Sequence, residues 1–304
     1  MSSIKLVVPF EMGGGGDTLA RLFSMSAAKI FNQNVIVQNV SGGERNGAIV
    51  KVKDGVPDGY TLLLNDIGMA ANSALYRDLK YDPLNDFEYI GLIANVPMVL
   101  LANPDFPSEA FADYVSYAKS YDGNLPKSNR PVRADSYLCG LLFMTATQSD
   151  RVWPAKKMAP PAIKANGEGG GYELKCEQTI SVIDLIKSAK YKPFGVTSSK
   201  RLSVLPNVPS FVEQGVIGLS ITNWYAAYAP KKTPKALVNA LVSVFQKTLR
   251  DNELVRKLES LGARPVEQDL ATPGALLSHL ELEMGKWNLI VRNSSTMSIP
   301  DGFR

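Results

Sequence analysis

The feature that most constrains this chain lies at its start, where an apolar run over residues 4–9 meets four consecutive glycines and then a helical pattern over 17–31. Ile4, Leu6, Val7 and Val8 read as a strand, while Leu19, Leu22, Phe23 and Ile30 recur at helical spacing on one face. Further strands are expected over 35–38 and 60–64. Strands alternating with helices are β-α-β grammar, which implies a mainly parallel sheet with helices on both faces. The fold class is therefore α/β, and 304 residues, at roughly 150 per domain, make two domains.

The rest of the chain continues that grammar. Residues 90–103 form an apolar run interrupted by Pro97, suited to an edge strand or to a crossing between domains, and the chain leaves the first domain around 104–107. Helices over 111–120, 136–146 and 181–189, with strands over 172–176 and 193–197, make a second, smaller β-α-β domain. After Trp224-Tyr225-Ala226, Thr233-Pro234 and Thr272-Pro273 each set a capping threonine before a proline in the first helical position. The first precedes Leu237, Leu241, Val244 and Phe245; the second precedes a stripe of Leu276, Leu280, Met284, Trp287 and Val291. A helix over 252–261 stops at Gly262.

Composition then excludes several classes of function. Apolar residues make up 45% and charged residues 20%, as in an ordinary globular protein, and the net charge of +4 is too small and dispersed for a nucleic-acid footprint. No run approaches the roughly 18 apolar residues that span a bilayer, and Met1-Ser2-Ser3 leads straight into the first strand, as in a mature or trimmed protein. One histidine, His279, and two cysteines, Cys139 and Cys176, are too few for the usual zinc site and disfavour the Ser-His and Cys-His pairs of most hydrolases. His279 falls off the apolar stripe of its helix, so it is expected to be exposed and inert. No metal site and no cofactor are expected.

The segment Phe10-Glu11-Met12-Gly13-Gly14-Gly15-Gly16-Asp17 is the sharpest chemical feature. Glycines between a strand and a helix let backbone amides face a ligand, and the helix N-terminus favours an anion through its dipole and unpaired N–H groups. The same glycines also fit a mere tight turn, and Asp17 also fits a helix N-cap. A dinucleotide fingerprint is not met, because Thr18 stands where the third glycine belongs, and no Gly-Lys-Ser/Thr ending makes a phosphate loop.

Several further segments carry a resemblance. Ile4-Lys5-Leu6-Val7-Val8-Pro9-Phe10 with the glycine run, Pro57-Asp58-Gly59-Tyr60-Thr61-Leu62-Leu63, Leu75-Tyr76 and Tyr81-Asp82-Pro83 resemble the Bug-type, TctC-like solute receptors of tripartite tricarboxylate transporters. Leu138-Cys139-Gly140-Leu141-Leu142-Phe143, Cys176-Glu177-Gln178-Thr179, Val196-Thr197-Ser198, Leu205-Pro206-Asn207-Val208-Pro209 and Ala229-Pro230 continue it in the family's order. Nearly the whole chain is covered.

The resemblance implies a two-domain periplasmic-binding-protein fold, the type II Venus flytrap, with a mainly parallel sheet in each domain and a small carboxylate in the cleft. Domain 1 would be 1–102 plus 226–304 and domain 2 would be 103–225, with hinge crossings near 101–104 and 224–228. It implies an exported, periplasmic and monomeric receptor, with its signal peptide removed, that delivers its ligand to membrane permease subunits. The ligand would be a dicarboxylate or an aromatic acid. Its contacts in the first domain would come from Phe10, Glu11, Met12, Gly13, Gly14, Gly15, Gly16, Asp17, Asn65, Asp66 and Gly68. Those in the second would come from Ser128, Asn129, Arg130, Ser136, Lys157, Gln178 and Thr179. For an exported protein, Cys139 and Cys176 would form a disulfide; two buried thiols are the alternative.

The chain also departs from the family pattern. Lys127-Ser128-Asn129-Arg130-Pro131-Val132-Arg133-Ala134-Asp135 replaces a Gly/Ser-rich loop, and Ala155-Lys156-Lys157 lacks the usual glycine. Either Arg130, Arg133 or Lys157 pairs with a carboxylate, or the loop is a solvated basic surface. An enzyme acting on a phosphorylated small molecule through Gly13–Gly16, with Asp17 or Asp66 as general base, is the alternative function, and a non-transport ligand sensor is a third.

Overall fold

A computed structural model of the protein describes residues 3–40, 46–76, 78–106, 108–120, 134–148, 174–216 and 218–293. In chain order its elements begin β1 (Ile4–Val8), α1 (Gly15–Phe31), β2 (Val35–Asn39), α2 (Asn46–Lys53), β3 (Thr61–Asn65), α3 (Gly68–Leu75), β4 (Phe87–Ala102), α4 (Phe111–Ser120) and α5 (Ala134–Thr147). They continue β5 (Leu174–Gln178), α6 (Thr179–Lys187), β6 (Lys192–Val196), β7 (Thr222–Pro230), α7 (Lys235–Thr248), α8 (Asn252–Ser260), β8 (Arg264–Pro265) and α9 (Pro273–Asn293). The chain packs as two units: everything up to Val96 with Asn223–Leu289, and Pro97–Thr222 with the chain from Ile290. The first boundary falls within β4, at Pro97, and the second at the start of β7. Among the described residues no helix is long and apolar enough to cross a membrane.

In the first unit β2, β1 and β3 are parallel, with Val8 opposite Asn39 and Val7 opposite Leu63. β1 buries every residue except Lys5, as a strand covered on both faces must. β7 runs antiparallel to β3, placing Ala226 opposite Asn65, and lies next to β4. This topology brings the C-terminal ends of three parallel strands and the start of β7 to one sheet edge. The core beneath is held by Leu19, Phe23 and Ala27 of α1, with the Phe23 and Phe245 rings edge-to-face at 4.8 Å. Full burial of a side chain like Phe23 or Leu19 contributes about 1.5–3 kcal/mol.

The second unit departs from the mainly parallel expectation. Its described strand-to-strand pairs are antiparallel, beside a parallel bridge between Val196 and Ser210: β4 has Leu100 opposite Cys176 of β5 on one side and opposite Gly195 of β6 on the other. β5 and β6 run the same way, as a β-α-β unit requires, but β4 enters between them in the opposite sense. β4 is thus a central strand here, not an edge. Phe111 packs edge-to-face on Phe143 and Phe211 at 5.4 and 4.9 Å, and Phe106 on Phe194 at 5.6 Å. Cys139 of α5 and Cys176 of β5 form a disulfide.

Four local readings are corrected. Thr233 does not cap α7, because its hydroxyl donates back to the Pro230 carbonyl and Pro234 takes the cap position; Thr272 does cap α9, accepting the Ala275 N–H at 3.2 Å. Leu237 is 39% exposed, and Val238 occupies the buried face instead. α2 and α3 are helices that the apolar periodicity did not announce. His279 is half-buried, not exposed, because Trp224 of β7 packs edge-on against it at 4.8 Å, and its Nε2 atom is buried without a partner among the described residues.

Candidate functional site

β1 ends in the 9–14 loop, and the geometry there follows from its glycines. Gly13 has φ +80°, a conformation that disfavours any side chain. Gly16 lies under the Phe10 ring: a Cβ there would sit 2.5 Å from Phe10 Cδ2. Phe10 is buried and meets Tyr225 edge-to-face at 5.6 Å, so its side chain packs the loop from beneath, while Glu11 and Met12 are exposed, Met12 by 77%.

α1 begins with Gly14 at the N-cap, where no side chain caps the helix. The Gly14 N–H donates to the Glu11 carbonyl and the Thr18 N–H to the Gly14 carbonyl. Among the described residues nothing accepts from the Gly15, Gly16 or Asp17 amides. Three consecutive donors at the positive end of a 17-residue helix have the chemistry to favour an anion.

Asp17 is only 2% exposed and is not the N-cap. Its Oδ2 accepts the Gly13 amide at 2.9 Å and Arg21 Nε at 2.8 Å, and its Oδ1 accepts Asn39 Nδ2 at 2.8 Å. Burial alone would raise the carboxyl's pKa, but the bonds from Arg21, Asn39 and Gly13 outweigh it and hold the group below its ordinary value. Asp17 is therefore a charged, fully engaged carboxylate.

The second predicted segment follows β3. Asp66 Oδ1 accepts the Gly68 N–H at 2.9 Å, and Asp66 Oδ2 accepts Asn223 Nδ2 at 3.3 Å. Asn223, fully buried at the start of β7, also accepts the Ile67 N–H at 3.3 Å and donates to the Tyr225 hydroxyl at 3.3 Å. Asn65 is buried and donates to Met69 Sδ at 3.6 Å. Phe10, Tyr225, Asn223 and Asp66 thus connect the two loops within the first unit. The carboxylates offered as general bases, Asp17 and Asp66, are both held by donors.

In the second unit, Ser136 Oγ donates to the Cys176 carbonyl at 3.0 Å, and Gln178 Nε2 donates to the buried Asp135 carboxylate at 2.7 Å. Gln178 is the N-cap residue of α6, and Thr179, fully buried, is its first residue. The disulfide, Ser136 and Gln178 together pin the start of α5 to the end of β5. Ser128, Asn129, Arg130, Arg133 and Lys157 lie outside the described residues. Among the described residues no group of three or more His, Cys, Asp or Glu could hold a metal ion.

The sequence reading did not single out Arg21, Asn39, Asn223 or the role of Tyr225. Arg21 had a visible signal, standing four residues after Asp17 on the same helix face. Asn39 and Asn223 had only their positions at strand ends, which become informative once the strand order is known.

Comparison with known proteins adds an independent finding. A family model described as "Tripartite tricarboxylate transporter family receptor" matches residues 19–278. A protein of Agrobacterium vitis, described as "UPF0065 protein in the TAR-I ttuE-ttuC' intergenic region", is 35% identical over 284 residues, which are 93% of this chain and 82% of the relative. The solved periplasmic binding protein BugD is 30% identical with a TM-score of 0.85, covering 97% of this chain and 98% of its own. MatC from Rhodopseudomonas palustris, solved with bound malate, is 28% identical with a TM-score of 0.83, covering 95% and 98%.

Proposed function

The chain belongs to the tripartite tricarboxylate transporter receptor family, and on that premise we propose that it captures a small organic carboxylate in the periplasm and hands it to membrane permease subunits. Proteins of this family are solute-binding receptors and not enzymes, and the chain has their two-domain, type II periplasmic-binding-protein fold. The ligand class is a dicarboxylate, as malate is for MatC. The receptor acts as a monomer.

The observation that carries this reading is the row of Gly15, Gly16 and Asp17 amides at the start of α1, which have no acceptor among the described residues. A carboxylate takes two or three such donors through its two oxygens. The Asn65, Asp66 and Gly68 turn supports the same edge of the first unit. Contacts in the second unit are assigned to Ser136, Gln178 and Thr179, with Ser128, Asn129, Arg130 and Lys157.

The test is thermal unfolding against malate, succinate, glutarate, benzoate, amino acids and nucleotides. A ligand at 100 times its dissociation constant adds about 2.7 kcal/mol, which raises the midpoint by about 5 °C in a chain of this size. A rise with one or more carboxylates and none with nucleotides is the expected result. A rise with nucleotides alone, or with nothing, would contradict it.

A further inference from the structure

An acidic residue in the first turn of α1 poses a problem for an anion site. Asp17 is the third residue of the helix, where its own carboxylate benefits from the helix dipole and competes with any incoming anion. In this chain the competition is removed by a closed ring of three side chains. Asp17 accepts from Arg21 and Asn39, and Arg21 Nη2 donates to Asn39 Oδ1 at 3.1 Å. The ring grips the loop at both ends: Asn39 Nδ2 also donates to the Phe10 carbonyl at 3.1 Å, and Asp17 Oδ2 accepts the Gly13 amide at 2.9 Å. Asn39 can do this because it ends β2 directly opposite Val8, the last residue of β1.

We propose that Asn39 and Arg21 are positioning residues for ligand capture. Together they hold the 10–16 loop in one conformation before ligand arrives and keep the Asp17 carboxylate off the Gly15, Gly16 and Asp17 amides. Neither touches the carboxylate ligand; they act through Asp17 and the loop backbone. This inference rests on the reading of α1 as the ligand's binding edge. Rigid pre-positioning of donors is what turns weak individual hydrogen bonds into affinity.

The experiment compares wild type with N39A, R21A and R21K by backbone ¹⁵N relaxation in the absence of ligand, then by calorimetric titration with malate and the acids above. In wild type the order parameters of Gly13 and Gly14 should match rigid backbone, about 0.85, and in N39A they should fall below about 0.6. Carboxylate affinity should fall about tenfold in N39A and R21A, with thermal midpoints within about 3 °C of wild type. R21K, which keeps a cation beside Asp17, should recover most of the affinity lost in R21A. Unchanged order parameters and affinity in both N39A and R21A would overturn the proposal. If N39A does not fold, R21A and R21K decide it by the same readouts. The relaxation arm uses no ligand, so a wild type that binds no carboxylate would overturn the proposed function while the order parameters still judge the clamp. Conversely, tight binding by wild type and variants alike would overturn the clamp and leave the receptor reading standing.

Discussion

Gly16→Ala offers the sharpest test of how the ligand loop is built. The added methyl would lie 2.5, 2.6 and 2.8 Å from Cδ2, Cγ and Cε2 of Phe10, so the whole ring must shift. Phe10 is 8% exposed and packed on Tyr225, which leaves it nowhere to go without losing that edge-to-face pair. Overpacking costs about 1–3 kcal/mol and the aromatic pair about 0.5–1.5 kcal/mol, while replacing a helical glycine returns about 0.5–1 kcal/mol. The net is a loss of about 2 kcal/mol, or about 3–4 °C in the thermal midpoint of a chain this long. Gly285→Ala is the matched control, because nothing lies within 4 Å of its added methyl in the middle of α9; it should stabilise by about 0.5–1 kcal/mol. A double-mutant cycle with Phe10→Ala then isolates the clash, since removing the ring makes room for the methyl. The cycle should show a coupling of about 1–2 kcal/mol. A Gly16→Ala protein as stable as wild type, or strict additivity with Phe10→Ala, would refute this account of the loop.

Three further predictions rest on other parts of the molecule. Asn223→Ala strips the Ile67 amide and Asp66 of a buried partner and should lower stability by about 2–3 kcal/mol in urea unfolding, a loss under 0.5 kcal/mol arguing against the network. Replacing Cys139 and Cys176 by serine should cost about 4 kcal/mol on the chain-entropy model, and thiol titration of the unfolded, unreduced wild type should find none; two titratable thiols would contradict the disulfide. Burial lowers the pKa of His279, with Glu283 opposing it, so below about pH 6.5 the unfolded state binds the proton that the folded state resists. Its contribution is therefore fully present above about pH 6.5 and is lost as pH falls toward the folded value. The midpoint should drop more between pH 7 and 5 in wild type than in His279→Gln, and an equal drop would contradict this.

The parts of the fold that could be read from sequence were those with a strong period. α1 and the α9 stripe each bury one regular face, so their burial is written in spacing, while β1 is a short apolar run covered on both faces. α3 was missed because Gly68, Met69, Ala70, Ala71, Asn72 and Leu75 are all buried, leaving no polar face to set against an apolar one. His279 was misjudged for a related reason: its cover is Trp224, a residue of a different element. At the site, the glycine run and Asp17 were visible because their chemistry is local. Asn39 was not, because its meaning depends on lying beside β1, a fact of strand order that no spacing in the chain records. The antiparallel pairs of the second unit were hidden likewise, since nothing in a β-α-β pattern says that a strand from elsewhere enters between its two strands.

The central claim is that the α1 amides receive a carboxylate. The most direct measurement is a ¹H–¹⁵N titration with malate, or with whichever carboxylate raises the thermal midpoint, following the amides of Gly15, Gly16 and Asp17. The account predicts that these three signals shift and saturate together at the affinity measured by calorimetry. Saturable binding that leaves all three unmoved would contradict it.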